Sequence, residues 1–218
     1  MNRLFVPLLT FASALTGSAF ADDKPAAEGF VSLFDGKTHE GWQGNKDGYA
    51  IIDGSFVCQP KGGGNLYTAK EYGDFHLKFE FKLTPGANNG IGLRTPLEGD
   101  PAYVGMEIQV LDDSSEKYKG KLAEYQYHGS VYGIVPARQG HLKSVGEWNS
   151  EEIILKGKDI KVILNGEAIV DANLDEVSKN GTIDKREHTG LKRDKGFICF
   201  CGHGAEVWFR NLRIKELK

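Results

Sequence analysis

Cysteine is scarce in this chain, basic residues form no run, and beyond Ala21 no apolar stretch is long enough to cross a membrane. Each absence excludes something. Without a basic patch, and with a formal net charge of −3, there is no electrostatic footprint for nucleic acid. Without a later apolar stretch, no membrane insertion is expected once an N-terminal signal is removed. The three cysteines, Cys58, Cys199 and Cys201, are few for an exported protein and argue against a cysteine metal site. Cys199 and Cys201 lie two apart on one strand face, a poor geometry for bonding each other. Cys58 could bridge to either if its strand lay alongside; buried free thiols are the preferred reading. A long amphipathic helical stretch is also missing, which leaves strands to build the core.

The first residues carry a pattern of their own. Arg3 supplies a positive charge, Leu4 to Leu15 an apolar stretch, and Ala19-Phe20-Ala21 a small-x-small cleavage site. Residues 1–21 are therefore expected to be an export signal, residues 22–29 a flexible lead-in, and residues 30–218 a single β-sandwich domain. No cysteine sits at the cleavage point, where Asp22 follows Ala21, which argues against a bacterial lipid anchor. The expected location is periplasmic or extracellular.

Glycine is abundant, at 28 residues, and turn signals recur at short intervals, the pattern of an all-β sandwich. Expected strands are Tyr49 to Ile52, Ser55 to Gln59, Asn65 to Tyr67, Asp74 to Leu83, Gly90 to Arg94, Glu151 to Lys156, Asp159 to Leu164, Ala168 to Val170, Gly196 to Cys201 and Glu206 to Ile214. A short strand within Phe30 to Lys37 precedes them. Asp74 to Leu83 is the clearest. Its Phe75, Leu77, Phe79, Phe81 and Leu83 share one face, and His76, Lys78, Glu80 and Lys82 the other. Asn165-Gly166 marks a tight turn. Long loops at Pro96 to Ala102, Asp112 to Ala123, Pro136 to Gly146 and Asn173 to Lys195 point to a shaped binding site.

The stretch from Tyr103 to Asp112 carries most of the functional signal. Val104, Met106, Ile108 and Val110 point one way, and Tyr103, Glu107 and Gln109 the other. On a strand Glu107 and Gln109 sit roughly 6.5–7 Å apart on one face. A carboxylate, an amide and an aromatic ring together suit a sugar-binding groove, although an ordinary exposed edge would read similarly.

Several segments, in order, resemble one known family. They are Leu33-Phe34-Asp35-Gly36-Lys37 with Gly41-Trp42, Asn89-Gly90-Ile91-Gly92-Leu93-Arg94, Gly105-Met106-Glu107-Ile108-Gln109-Val110-Leu111-Asp112, and Gly129-Ser130-Val131-Tyr132-Gly133. Gly146-Glu147-Trp148-Asn149, Val162-Ile163-Leu164-Asn165-Gly166, and Gly202-His203-Gly204 leading to Phe209-Arg210-Asn211-Leu212-Arg213-Ile214 complete the series. The family is the 3-keto-disaccharide hydrolases, once described as a domain of unknown function. The resemblance implies a jelly-roll sandwich of the concanavalin A-like lectin and glucanase type, with Glu107 and Gln109 facing a groove. It also implies an oligosaccharide or glycoside substrate oxidised to a ketone at C3. One departure stands out: Cys201 occupies a position where many relatives carry Gln.

A 3-keto sugar needs a base near C2, a group to polarise the C3 oxygen, and an acid for the leaving group. Glu107 is the candidate base or metal ligand. His128 is its candidate partner, with Glu124 and Gln126 expected on the same face. Glu107 and His128 would either hold a divalent metal or divide the base and acid work. Arg94 could orient a sugar hydroxyl or serve a structural ion pair. His203, between two glycines, could meet a ligand or bond backbone. Tyr103, Gln109 and Glu124 complete the candidate substrate contacts. Trp42 and Trp208 are expected in the core, and His39, His76, His141 and His188 on the surface or in loops.

Two alternatives remain. A non-catalytic carbohydrate-binding module would use the same fold. A retaining β-glucanase would need a second carboxylate about 5–5.5 Å from Glu107. The series Glu107, Gln109, Leu111 lacks one, and Asp112 falls on the opposite face.

Overall fold

Turn chemistry and period-two alternation divide the chain into thirteen strands within residues 29–218, the residues that the computed structural model describes. The expected export signal, 1–21, and all of the lead-in but Gly29 lie outside the described residues. Among the described residues no helix is long and apolar enough to cross a membrane.

In chain order the strands begin with β1 (Val31–Ser32), β2 (Trp42–Gly44), β3 (Tyr49–Ile52), β4 (Ser55–Cys58) and β5 (Gly64–Thr68). Next come β6 (Phe75–Leu83), β7 (Asn88–Thr95), a helical turn α1 (Pro101–Val104) and β8 (Met106–Leu111). The chain continues through β9 (Trp148–Lys156), β10 (Asp159–Leu164), β11 (Glu167–Asn173) and α2 (Leu174–Ser178). It closes with β12 (Phe197–Gly202) and β13 (Val207–Glu216).

The larger sheet runs β11-β10-β9-β6-β13-β4-β3, with β1 added to β13, and the smaller runs β2-β5-β12-β7-β8. Pairing is antiparallel in both. This is the all-β sandwich expected from the sequence. β6 alternates buried and half-buried residues along its whole length. Its five inward side chains share one core with Ile91 and Leu93 of β7 and Met106, Ile108 and Val110 of β8. Each such side chain, fully buried, contributes about 1.5–3 kcal/mol. Asn165 and Gly166 both take positive φ, 52° and 92°, as a two-residue turn between twisted strands demands.

Three placements differ from expectation. Residues 103–105 do not extend β8: Asp100 caps the helical turn α1 by accepting from the Ala102 N–H, and Pro101 opens it. Val104 is accordingly only half-buried. Residues 124–126 form a 3-10 turn rather than extended chain, closed by the Gln126 side chain on the Ala123 N–H. Trp208 leaves the core for the outer face of the large sheet, where Lys82 Nζ lies 4.1 Å from its ring centroid. Trp42 is in the core as expected, and all three cysteines are free and buried.

Ionisable groups inside the sandwich are held in pairs or forks. Arg94, 1% exposed, sits at a bulge of β7 with φ 50°. Its guanidinium donates to the carbonyls of Gly73, Gly157 and Arg193 and to Asp74 Oδ1, at 2.9–3.2 Å. Across the core, His128 Nδ1 accepts from the Leu111 N–H, so Nε2 carries the proton that bonds Glu151 Oε2 at 2.9 Å. That bond ties the end of β8 to β9 of the opposite sheet. Among the described residues Glu151 Oε1 has no hydrogen-bond partner.

Two expectations follow. Arg94→Met orphans three carbonyls and should lower unfolding free energy by about 2–5 kcal/mol in a denaturant titration. His128→Leu strands the buried Glu151 carboxylate and should cost about 3–5 kcal/mol, whereas His128→Leu with Glu151→Leu should recover most of that loss.

Candidate active site

β8 buries one face completely, so its other face must project away from the core. Met106, Ile108 and Val110 enter the core, and Glu107 and Gln109 stand on the outer face of the smaller sheet. Both edges of β8 are occupied. On one side β7 pairs Gly92 with Glu107 and Gly90 with Gln109. On the other, Gly129 N–H donates to Gln109 O, Gln109 N–H to Ser130 O, and Tyr132 N–H to Glu107 O, at 2.7–3.0 Å. Glycine at position 90 makes room for this carboxylate, because a Cβ there would lie 1.8 Å from Glu107 Oε1. The carboxylate thus rests over bare backbone, a position that any side chain at 90 would deny it.

Glu107 and Gln109 face a pocket of about 340 Å³. The helical turn α1 brings Asp100 and Tyr103 to its wall, and β7 brings Asn88, whose Oδ1 accepts from Gln109 Nε2 at 2.7 Å. Gln126 donates to the Tyr132 hydroxyl at 3.0 Å, and both line the same space. Arg186 arrives from the loop before β12, its guanidinium 3.8 Å from the Tyr103 ring centroid. His203, just past β12, places Nε2 3.4 Å from Glu107 Oε1.

The electrostatics follow from burial. Glu107 is 4% exposed, and loss of water pushes its carboxyl above the usual range, with His203 opposing the rise. The Glu107 carboxylate in turn raises the affinity of the half-exposed His203 ring for its proton, against the effect of burial. On the same sheet face, across β7 from Glu107, Cys199 and Cys201 of β12 bring their sulfurs within 3.5 Å. Burial, then Cys199 and Glu107, pushes the Cys201 thiol well up, so it stays protonated and packs with Cys199 and Tyr67.

The structure brings Glu107, Gln109, Tyr103 and His203 together and separates the other candidates. His128 is buried, stacked on Phe81 at 4.9 Å and bonded to Glu151, and it borders a different cavity shared with Asp112 and Asp113. It therefore cannot divide acid and base work with Glu107 or share a metal with it. Among the described residues no three His, Cys, Asp or Glu side chains are grouped to hold a metal ion. Glu107 and His128 border different cavities and are not brought together to hold the divalent metal that was one of the two options. Arg94 is consumed by backbone carbonyls and Asp74 and does not reach the pocket. Glu124 is exposed on its 3-10 turn; its neighbour Gln126 lines the pocket instead. Asp112 accepts from the Gly86 N–H and from Ser114, away from Glu107, so the second carboxylate of a β-glucanase pair is not built. His188, expected in a loop, is buried between Ala102 O and the Asp184 carboxylate.

Asn88, Asp100, Gln126, Tyr132 and Arg186 were not legible as site residues in the sequence. Asp100-Pro101 carried a helix-start signal that would have moved Tyr103 off the strand. Arg186 carried none: it meets Tyr103 from 83 residues away.

Residues 29–215 match the family described as the 3-keto-alpha-glucoside-1,2-lyase-like domain. A curated relative from Bacteroides thetaiotaomicron, named 3-keto-disaccharide hydrolase, is 29% identical across 88% of this chain and 79% of that protein. A solved structure from Parabacteroides distasonis, provisionally named a glycosyl hydrolase, is 28% identical, covers 88% of this chain and 95% of its own, and superposes with a TM-score of 0.71. A Bacillus subtilis protein of galectin-like fold, 12% identical over 80% of this chain and 89% of its own with a TM-score of 0.51, shares the fold alone. With 29–215 matched on a sandwich of this kind, the chain belongs to the family of 3-keto-alpha-glucoside-1,2-lyase-like domains.

Proposed function

We propose that the protein cleaves glycosides oxidised to a ketone at C3, by elimination followed by hydration, with Glu107 as base and His203 as acid. The observation that carries this reading is the Glu107–His203 pair itself: a buried carboxylate and a half-exposed imidazole 3.4 Å apart at the pocket. Family membership and the named 3-keto-disaccharide hydrolase relative support the substrate class. We place its action outside the cytoplasm on the strength of Arg3, the apolar stretch after it and Ala19-Phe20-Ala21.

The C3 ketone acidifies the C2 proton. Glu107, as carboxylate, takes that proton, and the C2–H electron pair becomes the C2=C3 double bond of an enolate with its charge on the C3 oxygen. The charge then returns to form C3=O, a C1=C2 double bond forms, and the C1–O bond breaks. His203, as imidazolium, gives its proton to the departing oxygen. Water then adds across C1=C2: His203 takes a proton from the water as its hydroxyl joins C1, and Glu107 returns its proton to C2, which yields the free 3-keto sugar and restores both side chains. Desolvation of Glu107 suits it to this work, because a carboxylate that holds its proton more tightly removes one more readily. Gln109 and Asn88 supply amide groups on the same wall for sugar hydroxyls.

The test is release of a chromogenic aglycone from 3-keto-glucosides of both anomers, beside their unoxidised parents. Release is expected from the keto sugars alone. Glu107→Gln should lower turnover by about 10²–10⁴-fold while ligand binding survives. Binding without any turnover in the wild type would instead identify a carbohydrate-binding module.

The pH profile should be bell-shaped. Turnover needs Glu107 ionised, so it falls as pH drops through a carboxyl value raised by burial. It also needs His203 protonated, so it falls as pH rises through an imidazole value held above 6.5 by Glu107. His203→Asn should remove the alkaline limb and, with the opposing imidazole gone, move the acid limb to higher pH.

A further inference from the structure

Elimination develops one charge that neither Glu107 nor His203 offsets. Loss of the C2 proton puts a full negative charge on the C3 oxygen, in a pocket whose wall already holds Glu107 and Asp100. Among the described residues lining that pocket, Arg186 is the one side chain with a permanent positive charge. The His203 ring is engaged with Glu107. We propose that Arg186 stabilises the C3 oxyanion, and that Asp184 and His188 are positioning residues that hold it in place; the assignment rests on the reading of function above.

The geometry prepares Arg186 for this role. Its guanidinium lies over the Tyr103 ring and donates to the Tyr103 hydroxyl, so little rotamer freedom remains to be lost on binding. The backbone beneath it is fixed as well. Asp184 Oδ1 accepts from the Arg186 N–H at 3.0 Å and from Thr182 Oγ1 at 2.9 Å, while Lys185 reverses the chain at φ 59°. Asp184 N–H donates to Gly133 O, and a Cβ on Gly133 would lie 2.4 Å from Asp184 Oδ2, so the turn packs where only glycine leaves room.

One imidazole joins this turn to Tyr103. His188, 4% exposed, bonds both Asp184 oxygens through Nε2 at 3.0–3.1 Å and the Ala102 carbonyl through Nδ1 at 3.0 Å. Ala102 directly precedes Tyr103, and the His188 ring also packs 4.9 Å from the Tyr103 ring. The turn bearing Arg186 and the turn bearing Tyr103 therefore move as one wall. Burial pushes the Asp184 carboxyl up, but bonds from the Arg186 N–H, His188 and Thr182 outweigh it and keep it ionised. Arg186 itself is exposed at the mouth. A bound sugar would cover it, and the exclusion of water would strengthen its pull on the oxyanion.

The test follows C2 proton exchange in deuterated water and aglycone release side by side, using the full chain and a 3-keto-glucoside. Arg186→Ala should lower kcat for both by about 10²–10³-fold with a smaller change in KM, and added guanidinium should restore part of the loss. Arg186→Lys should fall between the two. His188→Gln should lower kcat in the same direction without responding to guanidinium. Wild-type rates in Arg186→Ala, or a loss confined to KM, would overturn the assignment while leaving the elimination reading standing. A wild-type chain inert in both assays would overturn the reading of function and this assignment with it.

Discussion

Burial of Met106, Ile108 and Val110 against the larger sheet is the constraint from which the site descends. Side chains on a strand alternate faces, so committing those three to the core commits Glu107 and Gln109 to the outer surface. A slip of one residue in β8 would turn a carboxylate and an amide into the apolar core and three apolar side chains out of it. The β7 ladder and the 129–132 segment, bonded to the two edges of β8, make that slip costly. Gly90 then supplies the bare backbone over which the Glu107 carboxylate lies.

The buried polar groups form a second layer of the same logic. Arg94, the His128–Glu151 pair and the His188–Asp184 pair are each placed where two or three chain segments meet. Each satisfies groups that would otherwise be costly to bury. Arg94 fastens the 73–74, 157 and 193 segments together, and His128 spans the two sheets. His188 holds the long loop before β12 against α1. These three side chains hold the scaffold in shape, while Glu107, His203 and Arg186 face the pocket that the scaffold leaves open.

In the pocket, opposite effects are set beside each other. Removing water from Glu107 makes it a better proton acceptor, and its carboxylate makes the adjacent His203 a better proton holder. Such a pair favours base and acid roles on neighbouring groups without a second carboxylate. The distance from Glu107 to Asp112, which borders another cavity, follows from the same alternation that an extended strand imposes.

The sequence by itself determined the sandwich, because period-two alternation and Asn-Gly or Asp-Gly turns are local signals. β6, β7, β10 and the outward face of β8 were all legible in it, and so were Glu107 and Gln109. It also placed His203 among the candidates, since glycines on both sides leave a ring accessible. It misplaced Tyr103, because alternation was carried across an Asp-Pro helix start, and it read residues 124–128 as extended when Gln126 closes a 3-10 turn. Only the tertiary structure decided that His128 and Arg94 serve the scaffold, and that Arg186 reaches the pocket. Those roles depend on Glu151, Gly157 and Tyr103, partners 23, 63 and 83 residues away. A charged side chain's role is set by what faces it after folding, and local spacing carries no record of that.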